Sequence, residues 1–138
     1  MTLKNIMTQI ANVEMTIDGI KRAYDQAPPA INQFPCFINF PEAGEVNRSP
    51  SLRRTTHTIK LLLYVTKGAD LPSAESELRP YYDKTMDAFD THLTLFGFCS
   101  NSQIVRYAYG VLSYAGQPYL GISFDLSVVE WTPFTFSA

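Results

Sequence analysis

Hydrophobic residues near the start of the chain recur every three or four positions. They are Leu3, Ile6, Met7, Ile10, Val13 and Ile17. This spacing places apolar side chains along one side of a helix, so the pattern predicts a helix over residues 3–17 with Thr2 as its N-cap. Gly19 is expected to end or follow that helix. Residues 20–24 fit either a last helical turn or a short extended piece.

A second helical pattern lies between residues 73 and 97. Its apolar members are Leu78, Tyr82, Met86, Phe89, Leu93 and Phe96. Ser73 is expected to cap the start of this helix, and Gly97 to follow its last turn. Pro80 falls inside the pattern, where it either kinks the helix or marks a later start.

A period of two in the apolar residues indicates a long strand over residues 55–66, although Leu62 and Tyr64 make its second face half apolar as well. Its predicted core face carries His57, Ile59, Leu61, Leu63 and Val65. A shorter apolar run at residues 36–40 has a proline on each side, which is typical of an edge strand or of one that starts abruptly. Turn-forming residues dominate the segment 41–54 between the two, which predicts a long loop.

Two tyrosine-rich apolar runs within residues 104–131 flank the sequence Ala115-Gly116-Gln117-Pro118. Glycine and proline in these four positions predict a hairpin loop. From Tyr107 to Val129 the only charged residue is Asp125. The return strand has a continuous apolar face, which is expected to be core and consists of Leu120, Ile122, Phe124, Leu126 and Val128. An uncharged apolar tail follows at residues 132–138, and we expect it to pack on its own sheet or on another subunit.

These elements predict an α+β fold in a single domain over residues 1–138. Helices and strands are segregated rather than strictly alternating. An antiparallel or mixed sheet of about four strands, with two helices packed on one face, accounts for both helical patterns.

Composition changes the picture in two ways. Charged residues make up 17% of the chain and aromatics 13%, where about 25% charged is typical, and this balance suits a subunit that buries surface in an assembly. The net charge of −2 argues against a general nucleic-acid binder. We find neither a secretory signal nor an apolar run near the roughly 18 residues that span a bilayer, so a cytosolic origin without a membrane partner is expected.

The candidate chemistry is sparse. Phosphate-binding loops, a nucleophile elbow and metal-type histidine spacing are all missing from the sequence. Cys36 and Cys99 are far apart and are expected to be reduced, buried thiols. We therefore expect no catalytic residue, no cofactor and no metal ligand.

Charged and polar side chains remain as candidate contact surfaces. Arg48, Arg53 and Arg54 make the second half of the predicted loop basic, and Asp83, Asp87 and Asp90 share the outer side of the second helix. Each set is either ordinary solvated charge or half of a complementary pair between subunits. The second face of the final hairpin is also a candidate interface or ring lining, with Tyr107, Tyr109, Ser123, Asp125 and Ser127.

Five segments in this order give the chain its layout. They are GIKRAYDQAPPAI, PCFINFPEAG, HTIKLLLYV, ELRPYYDKTMDAFDTHL and YAYGVLSYAGQPYLGISFDLSVVE. Over nearly its whole length the chain resembles the tail-terminator, or tail-completion, proteins of long-tailed bacteriophages. The resemblance implies a structural virion protein, made in the host cytoplasm, that assembles as a homohexameric ring.

The resemblance also implies the partners of such a ring. One side would cap the major tail tube protein and end its polymerisation, and the other would meet the head-completion or connector protein. DNA would pass through the ring without sequence-specific binding. Two alternatives stay open: another neck component (stopper or adaptor) or minor tail protein, and a small enzyme that uses Asp125 or His92 with tyrosines in a cleft.

Overall fold

The computed structural model describes residues 2–68 and 71–133. In chain order its elements are α1 (Leu3–Met15), β1 (Arg22–Tyr24), β2 (Cys36–Arg48), β3 (Leu52–Lys67), α2 (Leu71–Thr91), β4 (Asn101–Tyr114) and β5 (Gln117–Pro133). The strands form one sheet in the order β1-β2-β3-β5-β4. β1 runs parallel to β2, and every other neighbouring pair is antiparallel. The fold is α+β with a mixed sheet, as the sequence predicts.

The sheet has five strands rather than about four. The additional strand, β1, comes from residues 20–24, for which the sequence pattern left two interpretations open. It is only three residues long and pairs with the start of β2. A strand this short has too few positions for an alternation to show in the sequence.

Both helices pack on the same face of the sheet, which we call the helix face. The register sets Leu61 of β3 opposite Phe124 of β5, and Leu63 opposite Ile122. All four side chains are fully buried in one cluster with residues of α1 and α2. The predicted core faces of β3 and β5 are therefore confirmed.

The first helix follows its sequence pattern closely. Thr2 is the N-cap, and its hydroxyl accepts a hydrogen bond of 3.2 Å from the backbone N–H of Asn5. Ile6, Ile10 and Val13 are completely buried against the sheet. The buried side of α1 is thus the one that the three- and four-residue spacing predicts.

The predicted loop at residues 41–54 is wrong. β2 continues to Arg48 and β3 begins at Leu52, so only residues 49–51 connect them. A bulge between Pro41 and Ala43 lets the ladder continue past the proline. Both faces of β2 are exposed here, so no apolar alternation marks the strand. We call residues 41–58, which form a hairpin with an exposed outer strand, the arm.

The final hairpin has a tighter turn than predicted. Only Ala115 and Gly116 connect the strands, and both have positive φ angles, 51° and 79°. This is the geometry of a two-residue type I′ turn, whose twist matches that of the flanking strands. Pro118 belongs to β5, where it lies one residue beyond the last β3–β5 pair, Lys67 with Tyr119. The ladder with β3 therefore does not need its missing N–H.

The second helix is displaced relative to its prediction. It begins at Leu71, so Ser73 is not its N-cap, and it continues through Pro80 to Thr91. Leu93 and Phe96 lie beyond its end and are 45% and 48% exposed, whereas Leu95 is completely buried. The chain turns sharply here, with positive φ at Leu95, and the turn breaks the helical spacing on which the prediction rested. Of the predicted tail, residues 132–133 end β5 and residues 134–138 lie outside the described residues.

One buried polar pair joins α1 to the sheet. Glu14 and Asn39 are completely buried, and Asn39 Nδ2 donates a hydrogen bond of 2.5 Å to Glu14 Oε1 and one of 3.0 Å to the backbone oxygen of Tyr24. Glu14 Oε2 and Asn39 Oδ1 have no hydrogen-bond partner. Burial raises the pKa of Glu14 well above its ordinary value, and the bond from Asn39 offsets this only partly. The Cys36 thiol is the nearby titratable group on β2.

Gly121 tests the close packing of β5 on β3. A Cβ at this position would lie 1.9 Å from the backbone oxygen of Leu63, whereas Gly110, its partner on β4, has open space. Gly121→Ala should destabilise the chain by about 3 kcal/mol, because the central ladder must shift. Gly110→Ala is the matched control and should change stability by less than about 1 kcal/mol. Urea denaturation measures both, and equal effects would contradict the packing described.

Glu14 should make stability depend on pH. The unfolded chain loses this proton near pH 4.5, and the folded chain holds it to higher pH. The contribution of Glu14 is therefore fully present below about pH 4.5 and is lost as the pH rises through the folded-state pKa. Glu14→Gln should remove this loss and raise the free energy of unfolding at pH 8 by about 1–2 kcal/mol.

Denaturation series at pH 4 to 9 measure this difference. Glu77→Gln, which neutralises an exposed carboxylate on α2, is the control and should leave the pH profile unchanged. A wild-type profile that matches the Glu14→Gln profile would contradict the assignment.

Candidate assembly surfaces

Both edges of the sheet have free backbone groups in the described part of the chain. β4 is the last strand on its side, so its outer edge has no neighbouring strand. On the other side β1 covers only Cys36, Phe37 and Ile38 of β2. The rest of this thirteen-residue strand has an open outer edge. Open edges are positions where another chain can add a strand.

The three predicted arginines lie at the end of the arm, where Arg48 and Arg53 are on the helix face and Arg54 is on the open face. Arg48 pairs with Arg53 across the β2–β3 ladder, and Arg54 is the next residue along β3. The Arg54 guanidinium lies 5.6 Å from the centre of the exposed Trp131 ring. Within residues 2–68 and 71–133, no carboxylate forms an ion pair with any of the three.

The three predicted aspartates form a row on α2. Asp83, Asp87 and Asp90 are all exposed on the side of the helix that points away from the sheet. None of them has an ion-pair partner among the described residues. The chain therefore carries a cationic arm end and an anionic helix side that do not neutralise each other internally.

The sheet face opposite the helices, which we call the open face, is divided into two parts. Near the β4–β5 turn it is covered by residues 28–35, and the Tyr114 hydroxyl donates a hydrogen bond to the backbone oxygen of Pro28. Ile31, Cys36, Ile38, Tyr64 and Tyr119 are buried in this second small core. The part nearer the arm is uncovered and polar.

Ser123, Asp125 and Ser127 lie on the uncovered part of the open face. Lys60 Nζ donates a hydrogen bond of 2.6 Å to Asp125 Oδ1 and lies 3.7 Å from Glu42 Oε2. The bond to Asp125 is the main reason that the pKa of Lys60 is raised. Asp125, the only charged residue between Tyr107 and Val129, is thus paired across the β3–β5 ladder.

Tyr107 and Tyr109 are not on the same face as these serines, which corrects the sequence interpretation. A bulge between Ile104 and Arg106 changes the alternation, so Tyr107 pairs with Phe124 and Tyr109 with Ile122 on the helix face. The centre of the Tyr107 ring lies 4.4 Å from the centre of the Tyr82 ring on α2. A one-residue bulge leaves no clear signal in a run that is apolar throughout.

The two residues named in the enzyme alternative, Asp125 and His92, do not lie in a common cleft. Asp125 lies on the open face, whereas His92 follows α2 on the opposite side of the sheet. There the centre of its ring lies 4.6 Å from the centre of the Phe96 ring. Burial raises the pKa of Cys36 to about 12 and that of Cys99 to about 11, so both thiols are protonated at neutral pH. Across the described residues, no cluster of three His, Cys, Asp or Glu side chains is suited to a metal ion.

One polar pair was missed from the sequence. His57 Nε2 lies 2.7 Å from Glu130 Oε2, and both side chains are mostly buried on the helix face where the arm joins the body. The alternation places His57 on the core face of β3, but nothing in the sequence indicates its partner on β5. The pair links β3 to β5 at the base of the arm.

Neither of two sequence comparisons identifies a relative of the chain. No protein-family model matches the chain, and no curated protein sequence is significantly similar to it. In the described residues, no helix has the length and apolar character needed to cross a membrane.

Ser127 tests whether the open face contacts a partner. Its side chain is partly exposed between Thr58 and Gln103. Ser127→Arg should leave the chain folded, with a stability change of about 0.5 kcal/mol or less, and should weaken assembly, because an arginine there keeps a partner surface away. Thermal denaturation and light scattering measure the two effects. Unfolding of the variant would show that this face is core.

Proposed function

We propose that this chain is a structural virion protein that caps a bacteriophage tail tube as a ring and joins the tail to the head connector. The resemblance in layout supports the phage setting. The geometry supports self-assembly, and one observation carries it: the arm end and the α2 side have opposite charges that remain unpaired in the chain.

Complementary surfaces at different places on one subunit favour a head-to-tail contact. Such a contact repeats from copy to copy and closes into a ring when the rotation between copies allows it. The arginines lie at the end of the arm and the aspartates on α2, so one surface of one copy meets the other surface of the next. Under this proposal, Arg48 and Arg53 contact Asp83, Asp87 and Asp90 of a neighbour, and Arg54, on the open face beside Trp131, adds positive charge to the same arm end.

Exposed apolar side chains agree with a subunit in an assembly. On β4, Val105, Tyr107 and Val111 are 59%, 46% and 45% exposed. On the arm side, Val46 and Trp131 are also exposed. Side chains of this kind on the open edges of a sheet promote association unless a partner covers them.

A ring of this kind has two different faces for two partners. Its ends would contact the major tail tube protein and the head-completion protein, and DNA would pass through the centre without base-specific contacts. This role needs no catalytic group or cofactor, because stopping a polymer requires only a surface that fits its last subunit.

Light scattering of the protein, alone and with purified tail tubes, tests the proposal. We expect a ring-sized species, tube ends that carry the protein, and no further tube growth after capping. A protein that stays monomeric and never binds tube ends would contradict the terminator function.

Charge reversal tests the contact itself. Arg48→Glu, Arg53→Glu and Arg54→Glu together should weaken self-association at least tenfold, because the attraction between the arm end and α2 becomes a repulsion. Adding Asp83→Arg, Asp87→Arg and Asp90→Arg should restore it. Sedimentation at low and high salt measures the effect, and added salt should weaken the wild-type contact. Failure of the sixfold variant to associate, with its fold intact, would reject this pairing.

A further inference from the structure

The outer edge of β4 has little of the protection that natural sheet edges normally carry. Edge strands are usually defended by charge, proline, bulges or shortness. β4 is fourteen residues long, contains no proline, and has Arg106 as its only charge. Its one bulge lies between Ile104 and Arg106, so residues 107–114 are regular, uncharged strand. Such an edge leaves its backbone groups available to another strand.

The open edge of β2 has the charge that β4 lacks. Beyond Ile38 it carries Glu42 and Glu45, whereas β4 contains no acidic residue. Glu45 pairs with Thr56, and Arg106 with Asp125, which places both Glu45 and Arg106 on the open face. Two edges with their charges on the same face can form one ladder in which Glu45 and Arg106 are neighbours.

We infer that the outer edge of β2 in one copy adds to the outer edge of β4 in the next copy, which makes one continuous sheet across the subunit boundary. The inference rests on the proposed self-assembly and specifies the backbone contact between neighbouring copies. The occupant of the β4 edge is a second copy of this chain, and the contact is head to tail.

The same ladder brings the arginine end of the arm towards α2 of the neighbour. Arg48 is three residues beyond Glu45, about 10 Å along the strand. It lies on the opposite face of β2 from Glu45, which is the helix face. α2 lies over β4 on that face, as the contact between Tyr82 and Tyr107 shows. Edge pairing is therefore compatible with a contact of Arg48 and Arg53 with the aspartates, whereas Arg54 lies on the open face.

Pairing of β4 with β4 about a two-fold axis is the competing arrangement. It would leave Arg106 without an acidic partner on the added strand, since β4 contains none. It would also leave the Glu45 edge unused. The charge pattern favours β2 as the added strand, and the two arrangements respond differently to substitution.

Arg106→Glu and Glu45→Arg should each weaken self-association about tenfold, because each places like charges side by side in the ladder. The double variant should restore association to near the wild-type level. Lys67→Glu, an exposed change of the same charge at the end of β3, is the matched control and should have no effect. Analytical ultracentrifugation measures association, and circular dichroism verifies that every variant is folded.

Each outcome separates the inference from the proposed function. If the variants form rings and cap tubes as well as the wild type does, the edge contact is wrong and the function stands. If Arg106→Glu weakens association, Glu45→Arg has no effect and the double variant is not restored, the β2 edge is not the partner and the inference is overturned. If the double variant restores association but no form binds tubes, the edge contact stands and the terminator function fails.

Discussion

The ladder between β3 and β5 is the interaction on which the rest of the structure depends. It sits at the centre of the sheet and extends from the pair Lys67 with Tyr119 to the pair Leu52 with Pro133. Its helix face supplies the buried side chains on which α1 and α2 pack. The ladder can form only because Gly121 has no side chain, since the Leu63 backbone occupies the space that a Cβ would need.

Polar side chains pair across the central ladder, whereas the charges at the extremities do not pair within the chain. On the open face Lys60 and Asp125 pair across the central ladder, and at the base of the arm His57 pairs with Glu130. The arm end and the outer side of α2 keep their charges without internal partners in the described part of the chain. These two charge sets lie at positions that a second molecule can reach, and complementary charge at such positions contributes to the choice of a partner.

The sequence predicts the core well because periodicity reports burial. Ile59, Leu61 and Leu63 alternate visibly, and all are completely buried. It predicts the arm poorly for the same reason: a strand with both faces in water, such as β2 beyond Pro41, has no apolar period. The faces of Tyr107 and Tyr109 were predicted wrongly for a different reason. One extra residue at the bulge beside Arg106 reverses the side of every residue that follows it. The candidate contact residues were found as charge sets, but their grouping in space required the ladder registers.

The continuity of β3 and β5 has a mechanical consequence. β3 runs from the core into the arm, and β5 stays paired with it as far as Leu52 and Pro133, so the arm is a stiff extension of the body rather than a tether on a hinge. A stiff projection reaches its target already ordered, and little conformational freedom is lost when it binds. In the proposed ring it would also fix the angle between successive copies. The curvature of any closed assembly is then set by the twist of this one central ladder.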